Sequence, residues 1–72
     1  MTYDEAKVKY DEAMAKVDYY NRSIEELLDR YGSGVRPSWV STDVSMDQMR
    51  RNDWQKQANY YSDLIEKMEE DQ

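Results

Sequence analysis

The chain has neither cysteine nor histidine among its 72 residues. Without cysteine it can form neither a disulfide nor a thiolate metal site. Without histidine it lacks the most common general base at neutral pH and a frequent zinc ligand. A di-metal site in a helical bundle usually also needs a Glu-x-x-His motif, which a chain without histidine cannot supply. We therefore expect no catalytic residue, no metal site and no cofactor, and we do not expect an enzyme.

Positive charge and long apolar runs are also scarce. Lys and Arg together number 10 against 16 Asp and Glu, which gives a net charge of -6. Nucleic-acid binding depends on neutralising phosphates with Lys and Arg, so direct nucleic-acid binding is not expected. No apolar run approaches the ~20 residues of a membrane span, and Met1 leads into a polar helix instead of a signal peptide. We expect a protein with no membrane partner, in the cytoplasm or within a virion, and not secreted by a signal peptide.

Only one proline and two glycines interrupt the chain, so long helices are possible. Over residues 3–31 apolar side chains recur with the alternating three- and four-residue spacing of a heptad repeat. Thr2 followed by Glu5 fits a capping box, and Gly32 suits the left-handed residue that often follows a helix. The pattern predicts a first helix over about 3–31, with one side buried against other helices.

A second helix is predicted over about 46–70. Ser45 with Gln48 fits a capping box at its start. Its core line begins at Trp54, because polar residues interrupt the pattern before that position. Residues 32–45 then form a long connection. The fold class is all-α: an antiparallel, coiled-coil-like two-helix hairpin that makes one domain over 1–72.

Folding the second helix back on the first predicts a register in which Ile24 lies opposite Trp54 and Tyr20 lies opposite Ala58. The predicted helix–helix seam consists of Tyr10, Ala13, Val17, Tyr20, Ile24, Leu27, Trp54, Ala58, Tyr61, Ile65 and Met68.

The predicted connection carries Val35, Trp39, Val40 and Val44, which a solvated linker would not need. One interpretation is that these side chains fold back and close the end of the hairpin. The other is that Trp39, together with Arg36, presents a knob to a partner. A helical hairpin with a tryptophan in its turn is similar to the secreted WXG hairpins. The sequence Trp-Val-Ser at 39–41 lacks that family's glycine two residues after the tryptophan, and the chain is not assigned to it.

Seven tyrosines, two tryptophans and five methionines, with no phenylalanine, make the composition unusual. Tyr and Trp combine apolar area with a polar tip and are favoured at interfaces that also meet water. One hairpin cannot cover all of these side chains, so we expect self-association or a partner to complete a bundle. The candidate partner interface consists of Met14, Tyr19, Leu28, Arg36, Trp39, Arg50, Arg51, Tyr60 and Leu64.

Two functions remain open on the sequence. The leading hypothesis is a non-catalytic assembly or accessory subunit, either a homo-oligomer or part of a larger complex. A viral or phage particle is a setting that such a small chain would suit. The alternative is a small acidic inhibitor or nucleic-acid mimic, whose carboxylates, such as Glu66, Glu69 and Glu70, would occupy a basic groove of an enzyme or nucleic-acid-binding complex.

Overall fold

The computed structural model describes residues 1–32 and 37–70, and these residues form two helices that pack side by side. Helix α1 spans Tyr3–Tyr31 and helix α2 spans Ser38–Glu70. At ~1.5 Å per residue they are about 43 Å and 50 Å long. The predicted all-α helical hairpin is confirmed.

Helix α1 begins at a well-formed N-terminal cap. The Thr2 backbone is extended, its Oγ1 accepts a hydrogen bond from the backbone N–H of Glu5 at 3.2 Å, and its carbonyl accepts one from the N–H of Ala6 at 3.0 Å. These bonds satisfy backbone donors that the first helical turn leaves without a partner.

The end of α1 differs from the prediction. Gly32 has φ -75° and ψ -19°, which is right-handed, so the expected left-handed cap was wrong. Glycine is nevertheless required there, because a Cβ atom at this position would collide with the carbonyl oxygen of Leu28.

Helix α2 begins eight residues earlier than predicted. Its first residue is Ser38, so the predicted start near Met46 and the capping box at Ser45 were wrong. Pro37 lies immediately before the helix, where its missing N–H costs nothing, and its carbonyl accepts the N–H of Val40 at 3.0 Å. The predicted connection over 32–45 is correspondingly too long.

The physical reason for the early start is that the buried side of α2 extends to its first turn. Val40 and Val44 are buried and pack against Ile24, and the half-buried Leu27 and Tyr31 cover this cluster. Residues of the supposed connection therefore close the end of the hairpin as one continuous helix. With these two valines included, alternating four- and three-residue steps run without a break along Val40, Val44, Asp47, Arg51, Trp54, Ala58, Tyr61, Ile65 and Met68.

Two members of that line are polar, and both have partners on α1. The hydroxyl of Ser23 donates to Asp47 Oδ2 at 2.6 Å, and Arg51 Nη1 donates to Asn21 Oδ1 at 3.2 Å. A polar side chain at a seam position costs stability but specifies how two helices align. The polar residues Asp47 and Arg51, which interrupt the apolar pattern before Trp54, are thus part of the helix–helix seam.

The helix–helix register is one heptad away from the predicted one. Three hydrogen bonds give the same alignment at both ends of the hairpin: Ser23 to Asp47, Arg51 to Asn21, and Tyr3 Oη to Glu69 Oε1 at 2.8 Å. Extending that alignment places Ala13 at the level of Ala58, whereas the predicted register places Tyr20 there. A shift of about seven residues leaves the apolar pattern of both helices unchanged, so the pattern alone could not distinguish the two registers.

The core of this hairpin consists of small side chains. The buried residues are Ala6, Ala13, Val17, Ile24, Val40, Val44 and Ala58. Of the predicted seam, Tyr10, Tyr20, Leu27, Trp54, Tyr61, Ile65 and Met68 are half-buried.

The hairpin is elongated and exposes much of its surface. Its radius of gyration is 16.2 Å, against about 11 Å for a compact domain of this length. Its accessible surface is 5552 Å², against roughly 4,700 Å² for a compact monomer of this mass. The excess is about 800 Å².

Candidate interaction face

A groove runs between the helices on one side of the hairpin, near the connection. Its volume is about 340 Å³, and it is lined by Ser23, Glu26, Leu27, Arg30, Asp43, Met46, Asp47 and Arg50. Four of these residues come from each helix, so this lining shows which helical positions face this side.

The same side continues along the hairpin, because residues seven apart on a helix lie on one face of a coiled coil. Tyr19 is one heptad before the groove residue Glu26. Trp39 is one heptad before Met46, and Tyr60 lies two heptads after it. Leu64 is two heptads after Arg50. We call the surface made by Tyr19, Trp39, Met46, Tyr60 and Leu64 the groove face.

Large apolar groups are unusually exposed on the groove face. The exposed fractions are 65% for Tyr19, 62% for Tyr60, 48% for Trp39 and 45% for Met46, while Leu64 is half-buried. Exposed aromatic side chains rimmed by polar residues are typical of protein–protein contact sites.

Neighbouring aromatic rings hold the exposed ones in place. Tyr19 lies edge-on to Tyr20 with ring centroids 5.1 Å apart, and Tyr60 makes the same contact with Tyr61 at 5.2 Å. In each pair the second tyrosine belongs to the seam, so the exposed ring rests on a side chain that is already packed. Such ordering lowers the entropy that an exposed side chain loses on binding.

Trp39 is supported in a similar way at the connection end. Its ring lies edge-on to Tyr31, with centroids 5.3 Å apart and planes at 79°. Of the two interpretations of the connection, Val40 and Val44 form the closing cluster, while Trp39 contacts it from outside and keeps about half of its surface exposed.

Charges of both signs border the groove face. Arg30 and Arg50 line the groove together with the carboxylates of Glu26, Asp43 and Asp47. Further along α1, Lys9 Nζ lies 3.8 Å from Glu12 Oε2, with both side chains more than half exposed. Ion pairs this exposed add little stability, so these charges remain available to a partner.

The structure separates the predicted interface residues into three groups. Tyr19, Trp39, Tyr60 and Leu64 belong to the groove face, and Arg50 lines its groove. Met14 and Leu28 lie on the opposite flank of α1, on the side where Asn21 meets the other helix. Arg51 lies in the seam, and Arg36 lies outside the described residues.

The sequence reasoning missed Met46 on this face. It placed the start of α2 at that residue and so gave it no helical position. Continuing the 4-3 spacing from Trp54 back through the polar positions 51 and 47 to Val44 would have found it.

The outer side of α1 has a different character, because carboxylates dominate it. Asp4, Glu5 and Glu12 surround the exposed Val8, with Lys9 at the edge. Pairs of adjacent acids recur in the same orientation at Asp4–Glu5, Asp11–Glu12 and Glu25–Glu26, and all six side chains are exposed. The second acid of each pair shares the heptad position of Tyr19, and Glu26 lines the groove, so this acidic row adjoins the groove face.

One titratable group at the free end of the hairpin is perturbed. The hydrogen bond that Tyr3 donates to Glu69 raises the pKa of the Tyr3 phenol above its ordinary value of 10.0, and the negative charges of Glu69 and Asp4 add to this. Of the three acids proposed for an inhibitory surface, Glu69 is therefore engaged within the hairpin, while Glu66 and Glu70 are exposed.

Within residues 1–32 and 37–70, no group of three or more acidic side chains is placed to hold a metal ion. Neither helix, over the part of the chain described, is long and apolar enough to cross a membrane. Comparison with known protein families, with curated proteins and with solved structures found no match to this chain.

Proposed function

We propose that this hairpin is a non-catalytic interaction subunit that uses the groove face to join a helical protein assembly. The observation that carries this is the concentration of exposed aromatic side chains on one face of a hairpin whose own core is small. A face that was never covered would leave Tyr19, Trp39 and Tyr60 in water, although each is held in position by a packed neighbour.

The exposed area supports the same proposal. The surface in excess of a compact monomer, about 800 Å², matches what one partner contributes to a protein–protein interface of standard size. Completing a four-helix bundle is the usual way for a helical hairpin to bury its flanks.

Site-specific photo-crosslinking in the native host tests this proposal. A photoreactive phenylalanine analogue placed at Tyr60 is expected to give a protein adduct. The same analogue at Met49 serves as the matched control on α2, because Met49 is 68% exposed but lies off the groove face. Equal crosslinking at both positions, or none at Tyr60, would refute the proposal.

The second candidate is the acidic inhibitor or nucleic-acid mimic, and the outer side of α1 is the observation that favours it. The acidic pairs begin at residues 4, 11 and 25, about 10.5 Å and 21 Å apart, and they form an exposed row along α1 that is interrupted at Tyr19. Such a row would suit a basic groove. The same crosslinker at Val8, between the first two acidic pairs, tests it: adducts at Val8 that disappear at high salt would favour the acidic candidate over the groove face.

A further inference from the structure

We infer that the groove face binds the groove face of a second copy of this chain, so that α1 of each copy lies along α2 of the other in an antiparallel four-helix bundle. This inference rests on the proposed function and names the partner for it.

The size of the face fits a second copy. The hairpin measures 55 × 15 × 14 Å, so one long side offers about 800 Å² to a flat partner. Stable interfaces bury roughly 800 Å² on each partner, and a second hairpin has the same length and width.

The order of side chains along the face is complementary to itself. In the proposed arrangement the two-fold axis runs parallel to the hairpin, so α1 of one copy meets α2 of the other at the same level. The register of Ala13 with Ala58 gives the level of every residue. Three aromatic rings then fall within two residues, about 3 Å of helix rise, of a basic side chain on the facing helix. The pairs are Tyr60 with Lys9, Tyr19 with Arg50, and Trp39 with Arg30.

Stacking of Lys or Arg on an aromatic face is favourable, and more so when water is excluded. The two-fold axis repeats each of these three contacts, so the bundle gains six of them. In each pair the basic side chain and the aromatic ring come from different helices, one from α1 and one from α2. The three contacts therefore require α1 of one copy to face α2 of the other.

Acidic and basic side chains also alternate so as to match. Glu5 lies at the level of Lys67, and Lys16 lies at the level of Asp53, again within two residues. Glu26 and Asp43 are two acidic side chains at a common level and repel each other. Arg30, one turn further along α1, reduces this repulsion. Exposed pairs of this kind contribute modestly to affinity but determine orientation.

The opposite orientation, with α1 meeting α1 in reverse, is less favourable. If Glu5 of one copy is aligned with Arg30 of the other, Asp53 of one copy lies opposite Asp53 of the other. Like charges that oppose each other directly are repulsive. In that alignment Tyr19 would meet Lys16 and Trp39 would lie one residue from the level of Lys67, but Tyr60 would meet the acidic Asp47 instead of a basic side chain. The observations therefore favour the axis parallel to the hairpin.

Sedimentation across a wide concentration range tests whether the dimer forms. We expect a reversible dimer whose dissociation constant rises at least about tenfold in Tyr60→Glu, because the change removes a stacked ring and adds a charge in two symmetric places. Met49→Glu, on the outer side of α2, is the matched control and should leave the dimer unchanged. A wild-type monomer, or a dimer that tolerates Tyr60→Glu, would overturn the inference.

A charge exchange tests the orientation. Lys16→Glu alone should weaken the dimer, and Lys16→Glu combined with Asp53→Lys should restore it, because the pair is re-formed with reversed signs. If the double variant is folded but does not dimerise, the proposed arrangement is wrong. Circular dichroism distinguishes this from misfolding.

Disulfide trapping gives an independent readout, since the chain has no native cysteine. Mixing Lys16→Cys protein with Asp53→Cys protein should give mainly mixed disulfides under mild oxidation. Predominant pairing of Asp53→Cys with itself would overturn the proposed orientation.

Failure of this inference is distinguishable from failure of the proposed function. A monomer in sedimentation, together with crosslinking of Tyr60 to a different protein in the host, would overturn the second-copy inference and leave the groove face an interface. Absence of any adduct at Tyr60 would overturn both.

Discussion

Replacing Val40 with alanine tests whether the first turn of α2 belongs to the core of the hairpin. Val40 is fully buried in the cluster with Val44 and Ile24. If the Val40 side chain were exposed to solvent, losing its methyl groups would change stability very little. In the observed helix the same change removes apolar contacts from the core.

The expected magnitude follows from the structure. Losing the equivalent of two methylene groups from a buried site costs about 1.6 kcal/mol in transfer free energy, and the cavity left behind raises this toward about 2–3 kcal/mol. Alanine is a better helix former than valine by about 0.5 kcal/mol, which acts in the opposite direction. The net loss for Val40→Ala is therefore about 1–2.5 kcal/mol.

Val8→Ala is the matched control, because Val8 is also a helical valine but is 55% exposed. The propensity gain is the same in both variants, so the difference between their unfolding free energies isolates the burial of Val40. Urea denaturation followed by circular dichroism, at one fixed protein concentration, measures it. Equal stability of the two variants would refute the placement of Val40 in the core.

Three further outcomes are expected. A double-mutant cycle with Ser23→Ala and Asp47→Asn should show a coupling free energy of about 1–2 kcal/mol in chemical denaturation, since a short bond to a carboxylate joins them; additive effects would contradict that bond. Ultraviolet titration of wild type against Tyr3→Phe should show Tyr3 ionising above pH 10, and Glu69→Gln should lower its pKa. Because the folded state holds this proton more tightly than the unfolded state, the stabilising contribution is present below about pH 10 and is lost as pH rises through the folded-state pKa. Gly32→Ala should destabilise by about 1–3 kcal/mol in thermal unfolding, since its Cβ would collide with backbone; a neutral or stabilising effect would contradict that geometry.

Local features of the chain determined the first helix. Thr2 caps it, the heptad spacing runs unbroken from Tyr3 to Tyr31, and Gly32 ends it, and each of these signals acts within a few residues. The all-α class and the hairpin likewise follow from periodicity and from the single proline between two long amphipathic segments. The high content of tyrosine, tryptophan and methionine is likewise visible in the composition.

The start of α2 and the register were decided only by the tertiary structure. The segment from Ser38 to Ser45 has weak helix signals of its own. It is helical because Val40 and Val44 pack against Ile24 of α1. Local propensity is a weak prior when tertiary packing can override it.

The helix–helix register could not be predicted from the sequence for a related reason. An apolar repeat is unchanged by a shift of one heptad, so only contacts between distant residues can select one alignment. Here Asp47 meets Ser23 and Arg51 meets Asn21, and these polar pairs are available in one register alone. That register also places Lys9 and Arg30 of α1 near the levels of Tyr60 and Trp39 of α2, and Tyr19 of α1 near the level of Arg50 of α2. The sequence determined that this protein is a helical hairpin rich in aromatic and apolar side chains, and the packing of its two helices decided which of them stay exposed.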